Sequence, residues 1–95
     1  MPDPSQATPT HEPERNRWVV RLEGELAHLD YSLAGGVMTI HHTVVPKPLG
    51  GRGIAGSMVR AALDHARAEG LKVQPACPYA ASWMDKHPDY GDLRA

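Results

Sequence analysis

Apolar and polar positions alternate along the first half of the chain and then change to a helical spacing. Residues 18–24, Trp-Val-Val-Arg-Leu-Glu-Gly, mix aromatic and β-branched side chains with polar ones and stop at a glycine, as a strand does. In residues 25–33, Leu26, His28, Asp30 and Ser32 oppose Ala27, Leu29, Tyr31 and Leu33, so one face is more apolar than the other and a second strand is expected. Ala34-Gly35-Gly36 suits a tight hairpin, after which residues 37–45 return as an apolar, β-branched third strand. Pro46 and Pro48 cannot donate to a ladder, so pairing should stop there.

Beyond Gly50-Gly51-Arg52-Gly53 the period changes. Ile54, Met58, Ala62, Leu63 and Ala66 form one stripe, with Arg60, Asp64, Arg67 and Glu69 largely off it, and Gly70 stands in the C′ position of the resulting helix. Residues 71–76 read as a short strand, and Pro78 opens a second helix through Trp83, Met84 and Lys86 that His87-Pro88 ends. A strand, a crossover helix and a following strand normally make a right-handed parallel pair, so residues 71–76 should lie parallel to residues 37–45. The fold class is α/β (α+β): an antiparallel meander, then a β-α-β unit with one parallel strand pair, then a C-terminal helix. Residues 1–15, with four prolines, read as a flexible tail, and residues 16–95 as one domain.

Composition narrows the possible functions. A net charge of -1 with no concentration of Lys and Arg argues against nucleic acid and against an anionic membrane. No apolar run approaches the roughly 18 residues of a membrane span, nor does the N-terminal stretch carry the apolar core of a secretory signal. A single cysteine, Cys77, excludes an intrachain disulfide and fits a reducing cytoplasm.

Three features could support chemistry. The segment Gly50-Gly51-Arg52-Gly53-Ile54-Ala55 sits between a strand and an amphipathic helix, where free N–H groups and the helix dipole favour an anion such as a pyrophosphate. It lacks the Lys-Ser or Lys-Thr of a Walker loop, and the bland alternative is a simple connection. Cys77 should stand at the carboxyl end of its strand, just ahead of a helix N-terminus that lowers a thiol pKa. It is a candidate nucleophile or a small buried hydrophobe. His42, counted on the same side as Met38, Ile40 and Val44, falls within range of Cys77 across the parallel pair and is a candidate base, or else a satisfied core histidine. His41, His42, Cys77 and His87 are conceivable metal ligands, but adjacent strand residues face opposite sides, so no metal site is expected. Trp83, Tyr79 and Tyr90 could line a groove or pack in the core.

The run His-Thr-Val-Val-Pro from His42, then Gly-Gly-Arg-Gly-Ile-Ala, then Gly-Leu-Lys-Val-Gln-Pro-Ala-Cys-Pro-Tyr, then His-Pro-Asp-Tyr, resembles the small YjdJ-type branch of the GNAT acetyltransferase superfamily. The resemblance covers a little over half of the chain. It implies a trimmed GNAT core in which acetyl-CoA enters between residues 37–45 and 71–76. The backbone of Val44 and Val45 would pair with pantetheine, and Gly51, Arg52, Gly53, Ile54 and Ala55 would hold the pyrophosphate. Cys77 and His42 match candidate catalytic groups of the relatives. Gly50 departs from the Arg or Gln usual at that loop position, a loss that Arg52 offsets in part.

The expected activity is acetyl transfer from acetyl-CoA, as co-substrate, to an unidentified amine, with no metal. Attack is either direct, with His42 as base, or through an acetyl-Cys77 intermediate. A non-enzymatic CoA-binding or sensing module is the alternative, and an interaction domain without cofactor is a third reading. Acceptor identity and oligomeric state do not follow from the sequence.

Overall fold

A computed structural model describes residues 8–95. Alternating side chains build the meander β2 (Arg17–Leu22), β3 (Glu25–Ala34) and β4 (Val37–Val44), with antiparallel β2–β3 and β3–β4 pairs. After α1 (Ile54–Ala68), strand β5 (Lys72–Pro75) returns parallel to β4, with Val37 opposite Lys72 and Ile40 opposite Pro75. Helix α2 (Pro78–Lys86) and a 3-10 segment, Pro88–Leu93, follow.

One strand lies where the sequence suggested a tail. Residues Thr10–Glu12 form β1, antiparallel to β2, and complete the sheet order β1-β2-β3-β4-β5. Proline content masked it, because Pro9 and Pro13 flank the pairing stretch without interrupting it. His11 turns towards the helix side, stacking on Trp18 at 4.3 Å and meeting His65 of α1 edge-on at 4.6 Å, with Tyr31 hydroxyl 2.5 Å from its Nε2. On the other side Glu12 pairs with Arg17 at 2.6 Å and Arg21 at 3.1 Å. The rest of the expected tail, residues 1–7, lies outside the described residues.

Both helices cover one face of the sheet. Val20, Ala27, Leu29, Tyr31, Met38 and Ile40 point into a single core that also takes in Met58, Val59, Leu63 and Ala66 of α1 and Ala80, Trp83 and Met84 of α2. Each α1 stripe residue expected from the periodicity is buried. The C-terminus of α1 closes in a Schellman motif: the Leu71 N–H donates to the Ala66 carbonyl at 2.8 Å, the Gly70 N–H to the Arg67 carbonyl at 3.3 Å, and Gly70 adopts φ +69°. Tyr90 and Leu93 are buried in the same core. Among the described residues no helix is long and apolar enough to cross a membrane.

Candidate active site

The site begins with a break in strand alternation. Tyr31 of β3 faces Ile40, but the preceding Asp30 faces His42, so His41 is an extra residue and β4 bulges there. The bulge changes the facing of everything after it. Leu29, on the core face, pairs with Thr43, whereas Asp30 and His28, on the opposite face, pair with His42 and Val44. His42 therefore does not share a side with Met38 and Ile40, as strict alternation implied, and it is exposed. Its place beside Cys77 is taken by Thr43, whose hydroxyl accepts from the thiol at 3.6 Å.

The bulge also ends the parallel pair. The β4–β5 register covers Val37 to Ile40, and the last contact is the Cys77 N–H donating to the Ile40 carbonyl at 3.0 Å. From His42 onward β4 pairs with β3 on one edge and, among the described residues, has no strand on the other. This leaves a slot in the pairing of the sheet: the edge of β4 from His42 to Val44 has no described strand beside it on the side of β5 and α2.

At one end of the slot stands Cys77, the residue ahead of α2. It is 6% exposed. Burial is the largest influence on its thiol and opposes ionisation, but the backbone at Ala80 and Tyr79 and the hydroxyl and backbone of Thr43 together outweigh it, so the thiol pKa lies below its ordinary value. No side-chain hydrogen bond caps α2, and the backbone groups at its start, at Ala80 and Tyr79, are what favour the thiolate from the helix side.

Beyond Val44 the chain runs on into the glycine loop. After a 3-10 turn, Lys47–Leu49, Gly51 and Gly53 adopt φ of +77° and +74°, a left-handed geometry that side chains resist. Gly53 is the N-cap of α1, and no side chain caps that helix, so its first-turn N–H groups are free to meet an anion. Ile54 is buried, and its side chain anchors the turn while its N–H stays at the helix end. The Arg52 guanidinium is ion-paired with Glu23 in the β2–β3 turn, which raises its pKa and holds the Glu23 carboxyl below the usual range.

The structure thus places Cys77 beside Thr43 and puts Val44 on the edge of β4 that lacks a described partner, sets Gly51, Arg52, Gly53, Ile54 and Ala55 at the start of α1, and leaves His42 on the far face. Val45 packs against the core where the chain leaves β4. Thr43 and Glu23 were not evident in the sequence. The bulge puts His41 and His42 on one side, their rings 6.4 Å apart and His41 hydrogen-bonded to Ser32 at 2.8 Å. No group of three or more His, Cys, Asp or Glu among the described residues is arranged to hold a metal ion.

The chain matches known proteins in sequence and in shape. The profile of the GCN5-related N-acetyl-transferase family matches residues 17–93. Protein NATD1 of Gallus gallus is 36% identical over 81 residues, covering 82% of this chain and 74% of its own. Protein NATD1 of Homo sapiens is likewise 36% identical, with 72% of its length covered. The NMR solution structure of a GCN5-like candidate N-acetyltransferase from Staphylococcus aureus superposes with a TM-score of 0.75 at 26% identity, covering 96% of this chain and 90% of that one. The chain belongs to the GCN5-related N-acetyltransferase family.

Proposed function

We propose that the protein binds acetyl-CoA in the slot beside β4 and transfers the acetyl group to an amine. The observation that supports this most directly is the opening of the β4–β5 pair at the His41 bulge, which leaves an unpaired strand edge leading to the uncapped N-terminus of α1. Pantetheine, with its two amides, can pair with the backbone at Val44 and Val45 as a strand would. The pyrophosphate then meets the N–H groups of residues 51–55, with Arg52 adding charge if it exchanges Glu23 for phosphate.

The thioester would come to rest near Thr43 and Cys77. In the covalent route the Cys77 thiolate attacks the acetyl carbon, the C–S bond to CoA breaks, and the CoA sulfur leaves and takes a proton. The acceptor amine then attacks acetyl-Cys77, loses a proton to a base, and regenerates the thiol. The lowered thiol pKa favours this route. In the direct route the amine attacks the thioester itself and passes its proton to a base. His42 can serve only an acceptor that approaches from the face opposite the helices. Backbone N–H groups near Val45 would stabilise the oxyanion in either case.

Thermal unfolding with and without acetyl-CoA tests the binding step. Ligand at roughly 100 times its Kd stabilises the native state by about 2.7 kcal/mol, a rise in Tm on the order of 10 °C for a domain of this size. No rise in folded protein overturns the proposal. Cys77→Ala separates the routes, since near-normal turnover removes the covalent one. A CoA-binding module without turnover is the second reading. It is favoured by the face opposite the helices, where no described element forms an acceptor wall, and binding without product across many amines would establish it.

A further inference from the structure

Next to the glycine loop a cleft of about 550 Å³ runs along the flank of α1 from Arg52 to Trp83. Its floor is kept low by Gly56, where a Cβ would stand only 3.3 Å from the Trp83 indole nitrogen and 3.4 Å from the Tyr79 hydroxyl. Arg60 lines the same cleft two turns into α1. Its guanidinium lies 5.3 Å from the ring centre of Trp83 and 5.8 Å from that of Tyr90, and it donates a long hydrogen bond of 3.4 Å to the Tyr90 hydroxyl. Asp64, one turn further on, is the nearest carboxylate along the helix, and it accepts from the Tyr90 hydroxyl at 2.8 Å rather than pairing with Arg60. Among the described residues Arg60 makes no ion pair, unlike Arg52, Arg67 and Arg94. A cation steadied by two aromatic rings and in no direct ion pair, with the Asp64 carboxylate lining the same cleft and held on the Tyr90 hydroxyl, faces an open cleft.

We propose that Arg60 binds the 3′-phosphate of the CoA ribose, so that the cleft distinguishes CoA from nucleotide thiols lacking that group. The inference rests on the acetyl-CoA reading. A pyrophosphate at the start of α1 places the ribose over the next turns of the helix, and Arg60 lies seven residues beyond Gly53, about 10 Å along the axis. The sugar spans part of that distance and the long arginine side chain the rest. Gly56 and Ala61 leave room for the nucleoside, and a dianionic phosphomonoester suits the forked guanidinium better than any neutral group.

Calorimetric titration of the full chain with CoA and with dephospho-CoA tests this, using wild type, Arg60→Ala and Arg60→Lys. Wild type should prefer CoA on the order of tenfold, the strength of one charge-assisted contact. Arg60→Ala should abolish the preference while leaving dephospho-CoA affinity unchanged, and Arg60→Lys should retain part of it. Unchanged affinity for dephospho-CoA also shows that the variant is folded. Equal affinity of wild type for both ligands, or an equal loss for both in Arg60→Ala, overturns the assignment while acetyl-CoA binding stands. No binding of either ligand by wild type overturns the acetyl-CoA reading itself.

Discussion

Cys77 combines two influences that usually oppose each other at a buried thiol. Loss of solvent disfavours the thiolate, and the start of α2 with Thr43 favours it more, so the net pKa falls. The rate of alkylation by iodoacetamide, followed against pH, should have its midpoint below that of the unfolded chain. Thr43→Val keeps the shape but removes the hydroxyl, and should move that midpoint upward; an unmoved midpoint would mean that the hydroxyl has no part in it. Cys77 and the glycine loop could be identified as candidates from residue type and spacing alone. The neighbour of Cys77 could not, because a shift of one residue in β4 decides whether His42 or Thr43 faces it.

At the scale of elements, two short features shape the site. The bulge at His41 is the first. Deleting His41 would keep Asp30 opposite His42 and Leu29 opposite Thr43, and so keep every side chain on its present face, but it would straighten β4 along β5 and close the slot. The deletion variant should fold and should lose most of the thermal shift with acetyl-CoA. A full shift would show that the bulge is not what opens the site. Strand β1 is the second. Burial, followed by the nearby His65 charge and against the pull of Glu14, holds the His11 pKa below its ordinary 6.5. Between 6.5 and the lowered value, the unfolded chain takes up a proton that the folded chain refuses. The stability that His11 contributes is therefore complete above that window and is lost as pH falls through it. The paired carboxyls of Glu12 and Asp92 are lowered from 4.5 and 3.8, so their contribution is lost only in more acid solution. Melting temperature should already decline below about pH 6.5, and His11→Phe, which preserves stacking on Trp18, should flatten that decline.

The whole molecule depends on one core on one side of the sheet. A domain of this size has a net stability of about 5–10 kcal/mol. Leu63 is fully buried, and Leu63→Ala should cost about 3 kcal/mol through lost transfer and the cavity left behind. Urea unfolding should show the midpoint falling by a large fraction with little change in slope. The sequence by itself determined the local elements. Alternation, the Gly35-Gly36 turn, the stripe from Ile54 to Ala66 and Gly70 each act between residues close along the chain, and hydrophobic period leaves little choice about which face is buried. Handedness then made β5 parallel to β4. Tertiary structure alone decided what depends on partners distant in sequence. Strand β1 exists because β2 offers an edge, the bulge because β3 sets the register of β4, and the setting of Arg60 because Trp83 and Tyr90 return from the other end of the chain. These contacts are chosen by packing energies summed over the whole core, which no local window of sequence contains.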